Sequence, residues 1–122
     1  MFPIEVSWLN FTGFVEVDTV VGAANARHMS VVGAIVATPA WAVAPGAIPI
    51  SSPPASPAAY GDFAGAVAAH YRGRVDAYEI WNEPNSVLAW TSGPQGPEPA
   101  VYADMAIVSL HGRSYSLMAQ FA

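Results

Sequence analysis

The chain contains no cysteine and few charged residues. Without cysteine, disulfides and thiolate metal sites are excluded, although either side of a membrane stays open as the compartment. Charged residues make up 11% of the 122 residues and hydrophobic residues 53%, whereas roughly 25% charged residues is usual for soluble domains. A small domain with so little charge has more apolar area than its own core requires. The composition therefore predicts that something else covers part of the surface.

The few charges argue against nucleic acid as a partner. The net charge is −5 and arises from scattered acidic residues rather than from acidic runs. The basic residues are four arginines that form no stripe, namely Arg27, Arg72, Arg74 and Arg113. No His, Asp and Glu cluster has the spacing of zinc ligands, so we expect no metal and no cofactor.

The sequence predicts no membrane segment. Residues 28–60 lack formal charge, but six prolines interrupt them, and a spanning helix needs about 20 mostly apolar residues. The first ten residues include Glu5 and no basic region, which argues against a signal peptide within the chain.

Strand patterns and helix patterns alternate along the chain. The predicted strands are 4–8, 30–37 and 75–81, and the predicted helices are 14–27, 57–72 and 98–108. Ser56 and Pro57 suit the start of the second helix, and Gly73 suits the left-handed position after its end. The alternation predicts an α/β fold with a parallel sheet built from right-handed βαβ units. Residues 109–122 show no clear period and predict no defined element.

A long loop and a short acidic motif follow two of the predicted strands. The loop 38–56 is rich in Pro, Ala and Ser and exceeds the usual α/β loop, so we expect it to lie over a site. The third strand runs into Trp81-Asn82-Glu83-Pro84. Parallel α/β folds place reacting groups at the carboxyl ends of strands. Glycoside hydrolysis needs a protonated carboxyl group there, and an aromatic ring such as that of Trp81 favours the protonated form. A solvated loop glutamate is the alternative.

These residues resemble a family, the retaining glycosidases with (β/α)8 barrels, which include cellulases, mannanases and xylosidases. In that superfamily, strand four ends in Asn-Glu-Pro, and Asn82-Glu83-Pro84 match it in the setting of residues 76–85. The resemblance covers about residues 4–105, including 18–29 and 31–42, which look like helix two and strand three with its loop. It implies a single incomplete domain over 1–122, a partial TIM barrel of about three parallel strands, barrel strands two to four. The tail 106–122 is atypical of the superfamily.

The resemblance also implies the roles of individual residues. Glu83 would be the acid/base of a cellulase-like or endoglucanase-like hydrolase that cleaves β-linked polysaccharide with retention. Asn82 would bind the sugar 2-hydroxyl, and Trp41 and Trp81 would line the sugar cleft. Trp90 is expected to pack in the core more than to line the cleft.

Three departures from the superfamily bear on activity. The strand-seven nucleophile has no counterpart if the predicted sheet ends at strand four, so we expect the isolated chain to be inactive. The usual strand-two arginine has no match in residues 2–6. His28 stands where relatives usually have glycine, at a cost on the order of 1 kcal/mol if the backbone there is left-handed. We expect that truncation, with or without a changed reading frame, produced the altered ends.

The alternative function is a non-catalytic module that binds carbohydrate or complements another barrel half. Three parallel strands with open edges would favour such association, or self-association. The expected partners are therefore a β-linked oligosaccharide or polysaccharide and a complementary half or second copy. Glu79, inside a predicted buried strand, should face a cleft or a partner such as an arginine.

Overall fold

The computed structural model describes residues 2–7, 14–91, 98–110 and 116–119. Within them, strands and helices alternate as β1 (Phe2–Ser7), α1 (Val15–Asn25), β2 (Val31–Val36), α2 (Pro57–His70), β3 (Ala77–Ile80), α3 (Pro99–Leu110) and β4 (Ser116–Ala119). The sheet order β1-β2-β3-β4 follows the chain, and every neighbouring pair is parallel. The predicted α/β class with a parallel sheet is confirmed.

The number of strands corrects the sequence-based prediction of three. Strand β4 lies in the segment 109–122 for which no element was predicted, and it pairs in parallel with β3, with Glu79 opposite Met118. The helix α3 is the crossover between them. Four residues are too few for an alternating or continuous apolar pattern to stand out from a tail of mixed composition. The prediction that the sheet ends with the strand before Glu83 is therefore wrong.

The helix α2 begins and ends where its sequence predicts. The Ser56 hydroxyl accepts a hydrogen bond from the Ala59 amide at 3.3 Å, and Pro57 occupies the first turn. Gly73 has φ of 74°, the left-handed conformation expected after the helix end.

The third predicted strand is shorter than expected. Its second residue, Asp76, instead fastens the start of β3 to β2, since Asp76 and Val31 exchange two hydrogen bonds of 2.7 and 2.9 Å.

One face of the sheet forms the core with the helices. Val31 and Ile35 of β2, and Tyr78 and Ile80 of β3, are buried in one apolar cluster with residues of the three helices. Gly33 lies opposite Tyr78 in the register, and a Cβ atom at Gly33 would be 3.1 Å from two ring carbons of Tyr78. The tyrosine ring therefore occupies space that only glycine leaves free.

The end of α1 shows why glycine would suit position 28. The Met29 amide donates to the Ala24 carbonyl at 3.1 Å and the His28 amide donates to the Asn25 carbonyl at 3.0 Å, the hydrogen bonds of a Schellman motif. His28 has φ of 57° and its side chain is exposed. The left-handed backbone on which the sequence-based cost depended is therefore present, and the imidazole ring holds no buried position.

Replacement of His28 by glycine is expected to stabilise the fold by about 1 kcal/mol, because glycine adopts this conformation without a Cβ clash. Urea denaturation of both proteins measures the difference. His28→Ala is the control, since alanine removes the ring but keeps the Cβ atom. A gain of equal size in both variants would assign the effect to the imidazole ring instead of to the backbone.

Candidate functional site

Two loops follow the carboxyl ends of neighbouring strands. The β2 loop (37–56) folds back on itself, because Thr38 and Ile50 form an antiparallel bridge with an amide-to-carbonyl hydrogen bond of 2.8 Å. The amide of Ala55 donates to the carbonyl of Ala42, also at 2.8 Å. The long loop predicted from the sequence is thus an ordered structure held by its own backbone.

The β3 loop (81–91) is fastened to the β2 loop through Thr91. The Thr91 amide donates to the Ser51 carbonyl at 3.0 Å, and the hydroxyls of these two residues lie 2.6 Å apart. The buried Ser52 hydroxyl donates to the Thr91 carbonyl at 2.6 Å. Three contacts that meet at one residue therefore join the two loops.

Two tyrosines fix the carboxyl ends of the strands to the helices that follow them. The Tyr60 hydroxyl of α2 donates to the Ile35 carbonyl at 2.7 Å, and the Tyr102 hydroxyl of α3 donates to the Ile80 carbonyl at 3.1 Å. Both hydrogen bonds are buried. The Ile35 carbonyl also accepts from the Trp81 amide at 3.1 Å. The edge from which the β3 loop starts is therefore rigidly held.

Trp81 is the first residue after β3, and its side chain lies in the core. Its backbone is left-handed, with φ of 63°, and 2% of the residue is exposed. The indole N–H donates to the Ala89 carbonyl at 2.7 Å, and the ring packs edge-on against Trp90 with centroids 5.6 Å apart. Trp90 in turn packs against Tyr102 at 6.3 Å. The β3 loop is folded around this aromatic group.

The burial of Trp81 corrects the expectation that its ring lines a sugar cleft. A ring that stacks on a sugar must have at least one face open to the ligand, and this ring is enclosed by protein. Trp90 is fully buried as well, in agreement with its interpretation as a packing residue. Trp81 instead stabilises the β3 loop from the buried side.

Glu83 and Asn82, unlike Trp81, face solvent. Both residues are exposed, whereas Pro84 beside them is buried. Glu83 has φ of 45°, so two residues of this short segment, Trp81 and Glu83, are left-handed without being glycine. The Glu83 carbonyl accepts a hydrogen bond from the Ser86 amide at 2.8 Å, which closes the turn. The backbone thus buries the tryptophan and presents the glutamate and the asparagine at the carboxyl end of the sheet.

Trp41 lies on the β2 loop with 75% of its surface exposed. Of the two tryptophans assigned to the cleft from the sequence, it is the one whose ring is open to a ligand. The Ala42 amide donates to the Pro39 carbonyl at 2.9 Å, so Trp41 lies within a closed turn. It therefore remains a candidate for stacking on a sugar.

Glu79 lies on β3, in register with Ala34 of β2, and is half-buried. Its neighbours Tyr78 and Ile80 face the core, so by the alternation of a strand Glu79 faces the other side of the sheet. Burial raises the pKa of its carboxyl group above the ordinary value. In the described residues, no arginine pairs with it. The folded chain holds this proton more tightly than the unfolded chain, so Glu79 contributes less to stability as pH rises.

A polar group that the sequence did not predict joins α1 to α2. The imidazole of His70 contacts the Asp18 carboxylate at 2.7 Å, and the guanidinium of Arg74 lies 3.7 Å from the same oxygen. The Phe14 ring stacks on the His70 ring at 3.9 Å. The hydrogen bond from His70 is the main cause that lowers the pKa of Asp18 below 3.8. His70 therefore joins the two helices.

The lowered pKa of Asp18 predicts acid-sensitive stability. Its contribution is present above the unfolded value and is lost as pH falls through the folded value, so the window is about pH 4 and below. We expect the wild-type protein to lose more stability than Asp18→Asn between about pH 5 and pH 2, measured by urea denaturation at each pH. The exposed Asp62→Asn is the matched control on α2. Parallel curves for the wild type and Asp18→Asn would contradict the role of the ion pair.

The described residues contain no group of His, Asp and Glu that could hold a metal ion, and no helix among them is long and apolar enough to cross a membrane. In the described β2 and β3 loops, the carboxyl end of the sheet offers one exposed carboxyl group, that of Glu83, and the exposed amides of Asn82 and Asn85. No protein-family model matches the chain, and no curated protein matches it.

Proposed function

We propose that the chain supplies the acid/base side of a retaining β-glycosidase, with Glu83 as the proton donor to the leaving oxygen. The single observation that supports this most is the backbone of residues 81–83. Two left-handed residues cost about 1–2 kcal/mol each, and such strain persists where the surroundings enforce it, most often at functional sites. Here the strain exposes one carboxyl group at the carboxyl end of a parallel strand.

The proposed mechanism assigns two steps to Glu83. Its carboxyl group first donates a proton to the glycosidic oxygen as the bond to the sugar breaks. The resulting carboxylate later removes a proton from the water that releases the sugar. Asn82, exposed beside it, binds the sugar 2-hydroxyl. Trp81 acts as a positioning residue because its buried ring holds the segment in which Glu83 lies.

A partner carboxylate is needed at about 5 to 5.5 Å from the acid/base in a retaining enzyme. Within the β2 and β3 loops, Glu83 is the one carboxylate. We therefore propose that a complementary barrel part supplies the nucleophile and that the isolated chain is inactive. In this proposal β1 to β4 correspond to barrel strands two to five. The outer strands β1 and β4 each have one neighbour in the described sheet, which leaves room for such a part.

The role of Glu83 is testable without any nucleophile. A β-glycosylamine that carries a bromoacetyl group in place of the leaving group puts an alkylating carbon beside the acid/base. A carboxylate oxygen of Glu83 then displaces bromide, forming an ester and releasing bromide ion. We expect the wild-type chain to be alkylated on the order of tenfold faster than Glu83→Gln, because the bound sugar positions the reagent. Intact-protein mass spectrometry follows the adduct with time.

Two controls separate sugar-directed alkylation from general reactivity. Glu98→Gln, immediately before α3, should react as the wild type does. Bromoacetamide without a sugar should alkylate all three proteins slowly and equally. If the glycosylamine also reacted equally with wild type and Glu83→Gln, Glu83 would not lie at the position of a glycosidic oxygen.

A further inference from the structure

We infer that the ligand at this site is an uncharged β-glycoside whose leaving group is a large apolar group, aryl or long-chain alkyl. The inference rests on the proposed function, because it places the leaving group next to Glu83. It goes further by stating which leaving groups and which sugars the two loops accept. Charge and exposed apolar side chains of the β2 and β3 loops carry it.

The two loops contain one ionisable side chain between them. Residues 37–56 have no Asp, Glu, Lys, Arg or His, and in residues 81–91 Glu83 alone is ionisable. A carboxylate on the ligand, such as that of a uronic acid, would therefore find no cation in these loops. It would lose water without gaining an ion pair, and that loss is unfavourable.

The cations of the described residues lie at the opposite edge of the sheet. Arg27 lies in the segment from α1 to β2, and Arg72 and Arg74 lie in the segment from α2 to β3, so each precedes a strand. A strand such as β2, with its six residues, separates the two edges by about 20 Å. This separation exceeds the Debye length of about 8 Å at physiological salt. These arginines therefore do not attract an anion to Glu83.

The same two loops expose most of the large apolar side chains that reach solvent. Nine large apolar residues are exposed in the described part of the chain. Five of them are on these loops, namely Trp41, Ile48, Ile50, Val87 and Leu88. Leu88, with 85% exposed, is the most open of all nine. An apolar group that packs on them gains the free energy of removing both surfaces from water.

These side chains lie on two ordered loops. The contacts of Thr91 with Ser51 and Ser52 fasten the loop of Ile48 and Ile50 to the loop of Val87 and Leu88. Ser86 closes the turn at the tip of the β3 loop, since its carbonyl accepts from the Trp90 amide at 2.8 Å. A preformed surface costs little conformational entropy on binding. An apolar leaving group therefore suits it better than a hydrated sugar or a charged group.

Three small glycosides test the inference on the intact chain: methyl β-glucoside, phenyl β-glucoside and phenyl β-glucuronide. We expect the phenyl glucoside to bind about tenfold more tightly than either of the others, as measured by isothermal titration calorimetry or NMR titration. The first comparison isolates the apolar group and the second isolates the charge. Similar dissociation constants for phenyl and methyl glucoside would overturn the apolar assignment, and equal affinity for the glucuronide would overturn the exclusion of charge.

Variants at exposed positions test the inference without disturbing the core. Leu88→Ser should reduce phenyl glucoside affinity several-fold, while Val20→Ser, at an exposed apolar position of α1, should leave it unchanged. Leu88→Arg should raise glucuronide affinity by adding the missing cation. If Glu83 is alkylated by the glycosylamine but the three glycosides bind alike, this inference fails and the proposed function stands. If no glycoside binds and Glu83 is not alkylated, both fail.

Discussion

Replacement of Trp81 by alanine is expected to reduce the free energy of unfolding by about 3 to 5 kcal/mol, the range for loss of a large buried aromatic side chain. The indole contacts Trp90 and donates its N–H to the Ala89 carbonyl, so the variant also leaves that carbonyl without its partner. A domain of this size has about 5 to 15 kcal/mol of stability in total. The variant should therefore lose a large share of the protein's stability.

Trp41→Ala is the matched control for this prediction. Trp41 is 75% exposed, and substitutions at such surface positions usually change stability by within about 0.5 kcal/mol. Urea denaturation monitored by far-ultraviolet circular dichroism compares the variants without relying on tryptophan fluorescence. A Trp81→Ala protein as stable as Trp41→Ala would mean that Trp81 is not in the core, and the cleft position expected from the sequence would then be restored.

Replacement of Gly33 by alanine is expected to cost about 1 to 3 kcal/mol, the usual range for overpacking a core. The added Cβ atom would lie 3.1 Å from two carbons of the Tyr78 ring, which is itself 2% exposed and held among core residues. The ring must shift or the strands must separate. Either change weakens the pairing of β2 with β3, on which the position of the β3 loop depends.

Gly22→Ala is the matched control for the Gly33 substitution. Gly22 lies within α1, and no atom is within 4 Å of a Cβ atom placed there. Alanine is favoured over glycine in a helix by about 0.5 to 1 kcal/mol. The same change of residue should thus raise stability at one position and lower it at the other, as measured by thermal or urea denaturation. A loss at Gly22 equal to that at Gly33 would remove steric contact with Tyr78 as the cause.

Strand and helix alternation predicted most of the fold because each signal is local. The cap of α2 shows this well, since Ser56, Pro57 and Gly73 are read directly as a helix start and end, and the structure confirms all three positions. Strand β4 could not be predicted in this way. Its four residues gain their strand conformation from pairing with β3, which is a contact between distant parts of the chain.

The candidate site was predicted less completely than the fold. The strand pattern that ends near Ile80 predicted that Glu83 follows the carboxyl end of the third strand, as it does in the structure. The sequence did not distinguish Trp81 from Trp41, because one amphipathic ring reads like another. Their difference arises from backbone conformation, since the left-handed Trp81 turns into the core, and from the fold of the β2 loop around Trp41. Neither feature has a local sequence signal.

The location of the glycosylamine adduct tests the central claim most directly. After alkylation with the bromoacetyl β-glycosylamine, proteolysis and tandem mass spectrometry identify the modified carboxylate, with and without excess phenyl β-glucoside. The account predicts that the adduct is on Glu83 and that the glucoside suppresses it. An adduct spread over other carboxylates such as Asp62 and Glu98, unaffected by the glucoside, would contradict the assignment of Glu83 as an acid/base residue.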